Sequence, residues 1–119
     1  MKYMLLLASD PADEPMPDSE AFGHYMEEWA AYSQALAEAG AMVGGEALEA
    51  PETASTVRIR DGKRLVTDGP YIESKEVVGG FYVIECDTRN EAIEWAKKIP
   101  LREDRTVEVG RSGRADRLA

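Results

Sequence analysis

A short polar segment, residues 68–76, holds the densest group of side chains suited to chemistry. Its ionisable residues are Asp68, Glu73, Lys75 and Glu76. A carboxylate beside an ammonium group can act as a base or hold an anion once burial shifts its pKa. Gly69 and Pro70 predict a tight turn, and loops on a rigid scaffold often carry function. We therefore expect Asp68 to be catalytic and all four residues to bind a ligand; the alternative is an ion-paired turn that sets strand register and closes a dimer contact.

The single histidine, His24, is a second catalytic candidate, because imidazole can act as a general base at neutral pH. Its helical position argues for a structural alternative. At about 100° per residue it lies roughly 200° from Phe22, among Glu20, Glu27 and Glu28. Pairing of charges along a solvated helix face would then explain the residue without any catalytic role.

Arg58 and Tyr82 complete the predicted ligand-binding set. Arg58 lies on the polar side of a predicted strand, where its guanidinium can hold a substrate carboxylate or pair with Glu73 or Glu76. Tyr82 is expected to line a cleft between two copies of the chain, with ordinary packing as the alternative.

Several kinds of site are excluded. One cysteine and one histidine cannot form a zinc-type cluster, and the carboxylates flanking Cys86 raise the pKa of its thiol rather than activate it. Neither phosphate-loop spacing, GxxxxGK[ST] or GxGxxG, is present, so Gly79-Gly80 predicts a bulge or a close backbone approach. We expect no metal and no cofactor.

Composition sets the class of protein. The 119 residues fit one domain, and a net charge of −9 disfavours nucleic acid as a partner. The lone cysteine suits a reducing cytoplasm, and no run approaches the roughly 20 apolar residues that span a bilayer. The apolar opening residues predict a strand rather than a signal peptide.

Hydrophobic periodicity and capping signals predict the elements. Strands are expected at 2–8, 41–48, 55–60, 63–67, 81–86 and 105–109. The first is expected to be central and buried on both faces, and Asp61-Gly62 predicts a two-residue hairpin turn. Helices are expected from Asp18 or Ser19 to Ala39, and from Thr88 to just before Pro100.

The buried faces are predicted from spacing. On the first helix the expected stripe is Phe22, Met26, Trp29, Ser33 and Leu36, flanked by Tyr25 and Tyr32. On the second helix it is Ala92, Trp95, Ala96 and Ile99. Val57 and Ile59 are expected on the buried side of their strand, and Val107 and Val109 on one side of the last strand.

The order of elements predicts an α+β fold. Two βαβ-like halves around an inserted hairpin indicate a ferredoxin-like, mainly antiparallel sheet with two helices packed on one face. The other face would then be bare, and an uncovered apolar face usually marks an interface. We therefore expect a homodimer.

Residues 68–83, Asp-Gly-Pro-Tyr-Ile-Glu-Ser-Lys-Glu-Val-Val-Gly-Gly-Phe-Tyr-Val, resemble the signature of the DGPF group within the YCII-related family. Tyr71 replaces the usual Phe of the four-letter motif. Further similarity lies at residues 3–6, 44–48, 56–58 and 91–96, so the resemblance covers most of the chain. It implies a ferredoxin-like dimeric α/β barrel, with a YCII/DGPF-like domain at 1–110 and a tail at 111–119. The family's usual Arg-Pro after Glu108-Val109 is replaced by Gly110-Arg111.

The resemblance implies no particular reaction. YciI itself is thought to carry a His/Asp pair in a cleft. The wider group of dimeric barrels includes lactone isomerases, dehalogenases and monooxygenases, which are only analogies for this chain. Two functions stay open: a dimer that binds a small anionic or cyclic metabolite, with catalysis undecided, and a non-catalytic regulatory or protein-interaction module.

Overall fold

The computed structural model describes residues 1–10, 18–49, 51–69, 77–101 and 105–113. The strands are β1 Lys2–Ser9, β2 Met42–Ala47, β3 Ser55–Arg60, β4 Lys63–Asp68, β5 Val77–Glu85 and β6 Thr106–Arg111. The helices are α1 Glu20–Glu38 and α2 Arg89–Lys97, and one 3-10 turn covers Pro51–Thr53. The predicted order of elements is confirmed, and β5 begins four residues earlier than expected.

Four strands form one antiparallel sheet in the order β2-β5-β1-β6, and β3 pairs with β4 as a separate hairpin. Leu5 lies opposite Tyr82 on β5 and Val109 on β6, which fixes the register of the central strand. This is the order of a ferredoxin-like fold with an inserted hairpin, so the predicted α+β class is confirmed.

The core lies between the sheet and the two helices. Tyr3 and Leu5 project from β1 on this side, and Ile84 projects from β5 directly opposite Tyr3. Leu36 of α1 and Ala92 of α2 are fully buried against them. Both helices therefore pack on one face of the sheet, as predicted.

Helix α1 begins where predicted, because Ser19 accepts a hydrogen bond from the Phe22 amide at 3.1 Å. Its buried face differs from the prediction. The buried residues are Tyr25, Tyr32 and Leu36, whereas Met26 is 48% exposed. Tyr25 and Tyr32 present more apolar area than Met26, so the helix turns its two tyrosines to the sheet.

Helix α2 follows the predicted capping box. Thr88 Oγ1 accepts from the Glu91 amide at 3.2 Å, and the Glu91 carboxylate accepts from the Asp87 amide at 3.1 Å. The first bond satisfies an amide that a helix start leaves unpaired, and the second ties the residue before the N-cap to the first turn. The predicted buried face is confirmed, with Trp95 partly buried at its edge.

The opposite face of the sheet, here called the open face, is lined by apolar side chains. They are Met4 and Leu6 of β1, opposite Val83 and Phe81 of β5. Among the described residues, the core cluster contains none of these four, and Met4 is 39% exposed. The prediction that β1 is buried on both faces is therefore wrong for the single chain, because both helices lie on one side.

The β3–β4 hairpin has the predicted turn and an unpredicted environment. Asp61 and Gly62 have φ of 50° and 76°, the left-handed pair that a type I′ turn requires. Val57 and Ile59 are 63% and 67% exposed, so the prediction that they are buried is wrong. The physical reason is that the hairpin forms its own sheet and does not extend the main one.

Candidate functional site

The chain brings several loops together at one end of the sheet. There β1 and β2 finish and β5 and β6 begin, so the hairpin joins the sheet at that end too. We call it the hairpin end of the sheet. Residues 70–76 connect β4 to β5 and lie outside the described residues. Glu73, Lys75 and Glu76 fall among them, and their ligand-binding role stays a prediction.

Asp68 is the exposed last residue of β4, directly opposite Ser55. The backbone holds its position tightly. The Gly69 amide donates to the Ala54 carbonyl at 2.6 Å, and Thr56 Oγ1 donates to the Gly69 carbonyl at 2.8 Å. The two chain segments therefore stay joined past the end of the strand, which gives the Asp68 carboxylate a rigid base at the start of the loop.

Arg58 is partly buried and lies on the other face of the hairpin from Asp68. The register pairs Arg58 with Leu65 and Ser55 with Asp68, and side chains alternate between faces along a strand. The hairpin does not bring these two predicted ligand residues together on one face. A ligand that contacts both would have to lie across the hairpin or use groups from another copy.

His24 lies on the outer side of α1, as its helical position indicated. Its side chain is 70% exposed, and its Nδ1 lies 3.9 Å from a carboxylate oxygen of Glu27, itself 81% exposed. No described residue other than Glu27 forms an ion pair with it. The structural alternative of a solvated helix face agrees with this placement.

Tyr82 lies half-buried on the helix-covered side of β5. Its ring is parallel to that of Trp29, with 6.2 Å between centroids and 10° between planes. Its hydroxyl lies 2.7 Å from Ser33 Oγ, within hydrogen-bond distance. Trp29 and Ser33 were predicted as core positions, and their spacing of one helical turn was the signal that they share a partner.

A second aromatic contact extends this cluster toward the hairpin end. Arg105, which precedes β6, donates a hydrogen bond through Nη1 to the Tyr25 hydroxyl at 2.6 Å. Its guanidinium carbon lies 5.5 Å from the Tyr25 ring centroid, and that ring meets Trp29 edge-on at 6.0 Å. Sequence reasoning missed this pair, because its members are 80 residues apart and carry no local motif.

Two glycines of the sheet, one on β2 and one on β5, lie where these strands approach each other closely. Gly45 of β2 pairs with Tyr82, and Gly80 of β5 pairs with Ala47. A Cβ atom at Gly45 would lie 2.7 Å from the Phe81 carbonyl oxygen, and one at Gly80 would lie 2.6 Å from the Glu46 carbonyl oxygen. The predicted close backbone approach at Gly79-Gly80 is therefore present at Gly80. At Gly45 a Cβ atom would also lie 3.3 Å from Tyr82 Cδ1, so the absence of a side chain there leaves room for the tyrosine ring.

A shallow groove of about 450 Å³ lies on the far side of the helices, between α1 and α2. Tyr32 joins the two helices there, since its hydroxyl donates to the Trp95 carbonyl at 2.8 Å. Burial, with a smaller contribution from Tyr82, raises the pKa of the Tyr32 phenol well above its usual value. The hydroxyl therefore stays a neutral donor, which suits a structural role.

The surroundings of Cys86 disfavour its thiolate form. Partial burial raises the pKa of the Cys86 thiol, and the carboxylates of Glu91 and Asp87 add to the effect. The direction agrees with the prediction. Across the described ranges no three His, Cys, Asp or Glu side chains come together as metal ligands. Within the same ranges no helix is long and apolar enough to cross a membrane.

Comparison with known proteins gives the family. The model of the YCII-related domain matches residues 1–111. The chain belongs to the YCII-related family. It is also 30% identical over 99 residues to Uncharacterized protein R00369 of Rhizobium meliloti (strain 1021), an alignment that covers 83% of this chain and 80% of that protein. The match thus extends to the last residue of β6 and includes the hairpin.

Proposed function

We propose that this YCII-related domain, of the DGPF group, is a homodimer that binds a small anionic or cyclic metabolite at the hairpin end of the sheet. The observation that carries the proposal is the parallel stack of the Trp29 and Tyr82 rings, both of which are half-buried. The Ser33 hydroxyl lies within hydrogen-bond distance of the Tyr82 hydroxyl at the end of this stack. Ligand sites are mostly apolar and aromatic, with a few polar groups that fix orientation. This cluster has that composition.

The chemistry around the stack supports the ligand class. Flat aromatic surfaces suit a ring, and the Arg105 guanidinium on Tyr25 brings positive charge to the same helix. Asp68 begins the predicted loop at this end of the sheet. We propose that Asp68 and Lys75 supply the polar contacts to the ligand, with Arg58 contributing from the hairpin.

The dimer is proposed from the open face of the sheet. Met4, Leu6, Phe81 and Val83 form a continuous apolar strip over two paired strands. Apolar patches rimmed by polar residues mark interaction sites, and a two-fold axis lets one patch cover its own copy. Pairing two open faces would remove both strips from water, since the helices lie outside.

A thermal-shift screen against several hundred metabolites tests the ligand proposal, because a ligand that binds only the folded state raises the melting temperature. We would screen the wild-type chain together with Trp29→Leu, which removes one ring of the stack, and with Asp68→Ala and Lys75→Ala. The control is His24→Gln, on the outer side of α1. A ligand whose shift is lost in the first three variants and kept in the control supports the site. A shift that survives all of them places binding elsewhere.

A non-catalytic interaction module is the second candidate, and the exposed apolar residues of the hairpin favour it. Val57 and Val66 pair with each other and are 63% and 70% exposed. An interaction module would give no ligand in the screen, and would recover a specific macromolecular partner instead. Site variants would then change stability alone.

A further inference from the structure

The hairpin Ser55–Asp68, here called the arm, has one strongly apolar face. The register pairs Val57 with Val66 and Ile59 with Arg64, so these side chains lie on the same side. Val57, Ile59 and Val66 are 63%, 67% and 70% exposed. Three large aliphatic side chains in contact with water on one small ribbon form a surface suited to burial.

Within the described part of the chain, the arm receives little support from elements other than its own two strands. Among the described helices and strands, β3 and β4 make their main contacts with each other. The Cα radius of gyration is 16.2 Å, against about 13.5 Å for a compact domain of this length. A two-stranded hairpin is at best marginally stable in water, so the arm needs a surface to pack against.

The charge of the arm indicates which surface that is. It carries Arg58, Arg60, Lys63 and Arg64 against Asp61 and Asp68, a surplus of two positive charges. Since the whole chain has a net charge of −9, the remaining residues carry −11. Helix α1 alone has four glutamates and no lysine or arginine. Of the four basic residues only Arg64 lies on the apolar face, since alternation along the strands places the other three on the opposite face. The arm and the rest of the chain are therefore complementary in net charge, which favours the encounter of two copies.

We infer that the arm reaches across to a second copy of the chain and packs its apolar face against that copy, while the net charge of the arm attracts it to the acidic chain. The inference rests on the homodimer proposed above and adds a second contact to the open-face interface. Each strand of the arm is six residues long, a reach of roughly 20 Å. Two-fold symmetry makes the exchange mutual, so each copy gives one arm and receives one.

Sedimentation equilibrium of the full chain tests the inference through the dimer dissociation constant. Val66→Ser should weaken the dimer about tenfold, because each dimer contains two altered arms. The matched control is Leu65→Ser, an apolar-to-serine change on the opposite face of the same arm, at a residue that is 45% exposed. Arg64→Gln should lower the dependence of dimerisation on salt, since it removes one screened attraction per arm.

The possible outcomes distinguish the proposal for the arm from the proposal for the open-face dimer. A dimeric wild type whose dissociation constant is unchanged by Val66→Ser and Arg64→Gln overturns the arm and leaves the open-face dimer standing. A wild type that stays monomeric at all concentrations overturns both. Hydrogen exchange gives a second reading: amides of β3 and β4 should gain protection as protein concentration rises through the dissociation constant. Protection that is independent of concentration would mean that the chain's own residues cover the arm.

Discussion

Gly45 and Tyr82 lie directly opposite each other on β2 and β5, and the glycine leaves room for the tyrosine ring. A Cβ atom at Gly45 would lie 3.3 Å from Tyr82 Cδ1 and 2.7 Å from the Phe81 carbonyl oxygen. The backbone contact cannot be relieved by turning a side chain. Both the pairing of the edge strand β2 with β5 and the position of the Tyr82 ring therefore require a residue without a Cβ atom at Gly45.

Gly45→Ala should destabilise the fold by about 1–3 kcal/mol, the usual cost of forcing an atom into a packed site. Gly44→Ala is the matched control, because a Cβ atom there meets nothing within 4 Å. Urea denaturation at fixed protein concentration gives both free energies of unfolding. Equal free energies of unfolding for the two variants would show that β2 and β5 can move apart to accept the Cβ atom without loss of stability.

Gly80→Ala should be costly for a separate reason, on the neighbouring strand. Its Cβ would lie 2.6 Å from the Glu46 carbonyl oxygen, whereas a Cβ at Gly79 meets nothing within 4 Å. We expect a loss of about 1–3 kcal/mol for Gly80→Ala and less than about 0.5 kcal/mol for Gly79→Ala. Thermal unfolding of the two variants measures both losses of stability. A larger loss for Gly79→Ala than for Gly80→Ala would contradict the register between β2 and β5.

The Tyr32 phenol should make stability fall at alkaline pH. Burial, with Tyr82 adding to it, raises its pKa in the folded chain, while an unfolded tyrosine ionises near pH 10. The neutral phenol is therefore favoured by folding, and its contribution is complete below about pH 10 and lost as pH rises above it. Tyr32→Phe should flatten this fall in the free energy of unfolding.

The measurement compares urea denaturation from pH 8 to about pH 11 with and without Tyr32→Phe. Both chains carry Cys86→Ser, because the pKa of the Cys86 thiol is also raised and would add its own slope. At pH 7 the variant should lose about 1 kcal/mol, since the Trp95 carbonyl loses its donor. Identical alkaline slopes would show that the phenol ionises freely in the folded chain.

Leu6→Glu should convert the proposed dimer to monomer. Leu6 lies between Phe81 and Glu108 on the open face, so the new carboxylate would be buried beside an existing one. Sedimentation velocity should show a shift from dimer to monomer. Leu101→Glu, after α2 at a residue that is 42% exposed, is the control and should stay dimeric. A dimeric Leu6→Glu chain would place the interface elsewhere.

The fold could be predicted from the sequence because its signals are local. The Ser19 and Thr88 caps fix where both helices begin, and the apolar run at residues 2–8 predicts β1 without saying which of its faces is covered. The burial of β3 could not be predicted the same way. Alternating Val57 and Ile59 indicate a strand with an apolar face, but alternation does not say whether the covering surface belongs to the same chain.

The candidate site was predictable only in part. Tyr82 was expected to bind ligand, but its side of the sheet depends on register with Leu5, which no local pattern supplies. The contact between Tyr25 and Arg105 depends on the whole fold. Arg58 and Asp68 were both expected to bind ligand, and the pairing of β3 with β4 puts them on opposite faces of the hairpin.

His24→Gln should leave both stability and ligand binding unchanged. The imidazole is 70% exposed and lies 3.9 Å from an exposed Glu27 carboxylate, and such surface pairs contribute less than about 1 kcal/mol. Glutamine keeps polarity and helix propensity and removes the titrating group. Once the screen provides a ligand, calorimetry should give equal affinities for wild type and His24→Gln from pH 5.5 to 8, whereas Asp68→Asn should bind about tenfold or more weakly. If the affinity of wild type depends on pH and this dependence disappears with His24→Gln, His24 contacts the ligand. The ligand site would then lie on the outer side of α1 and not at the aromatic stack.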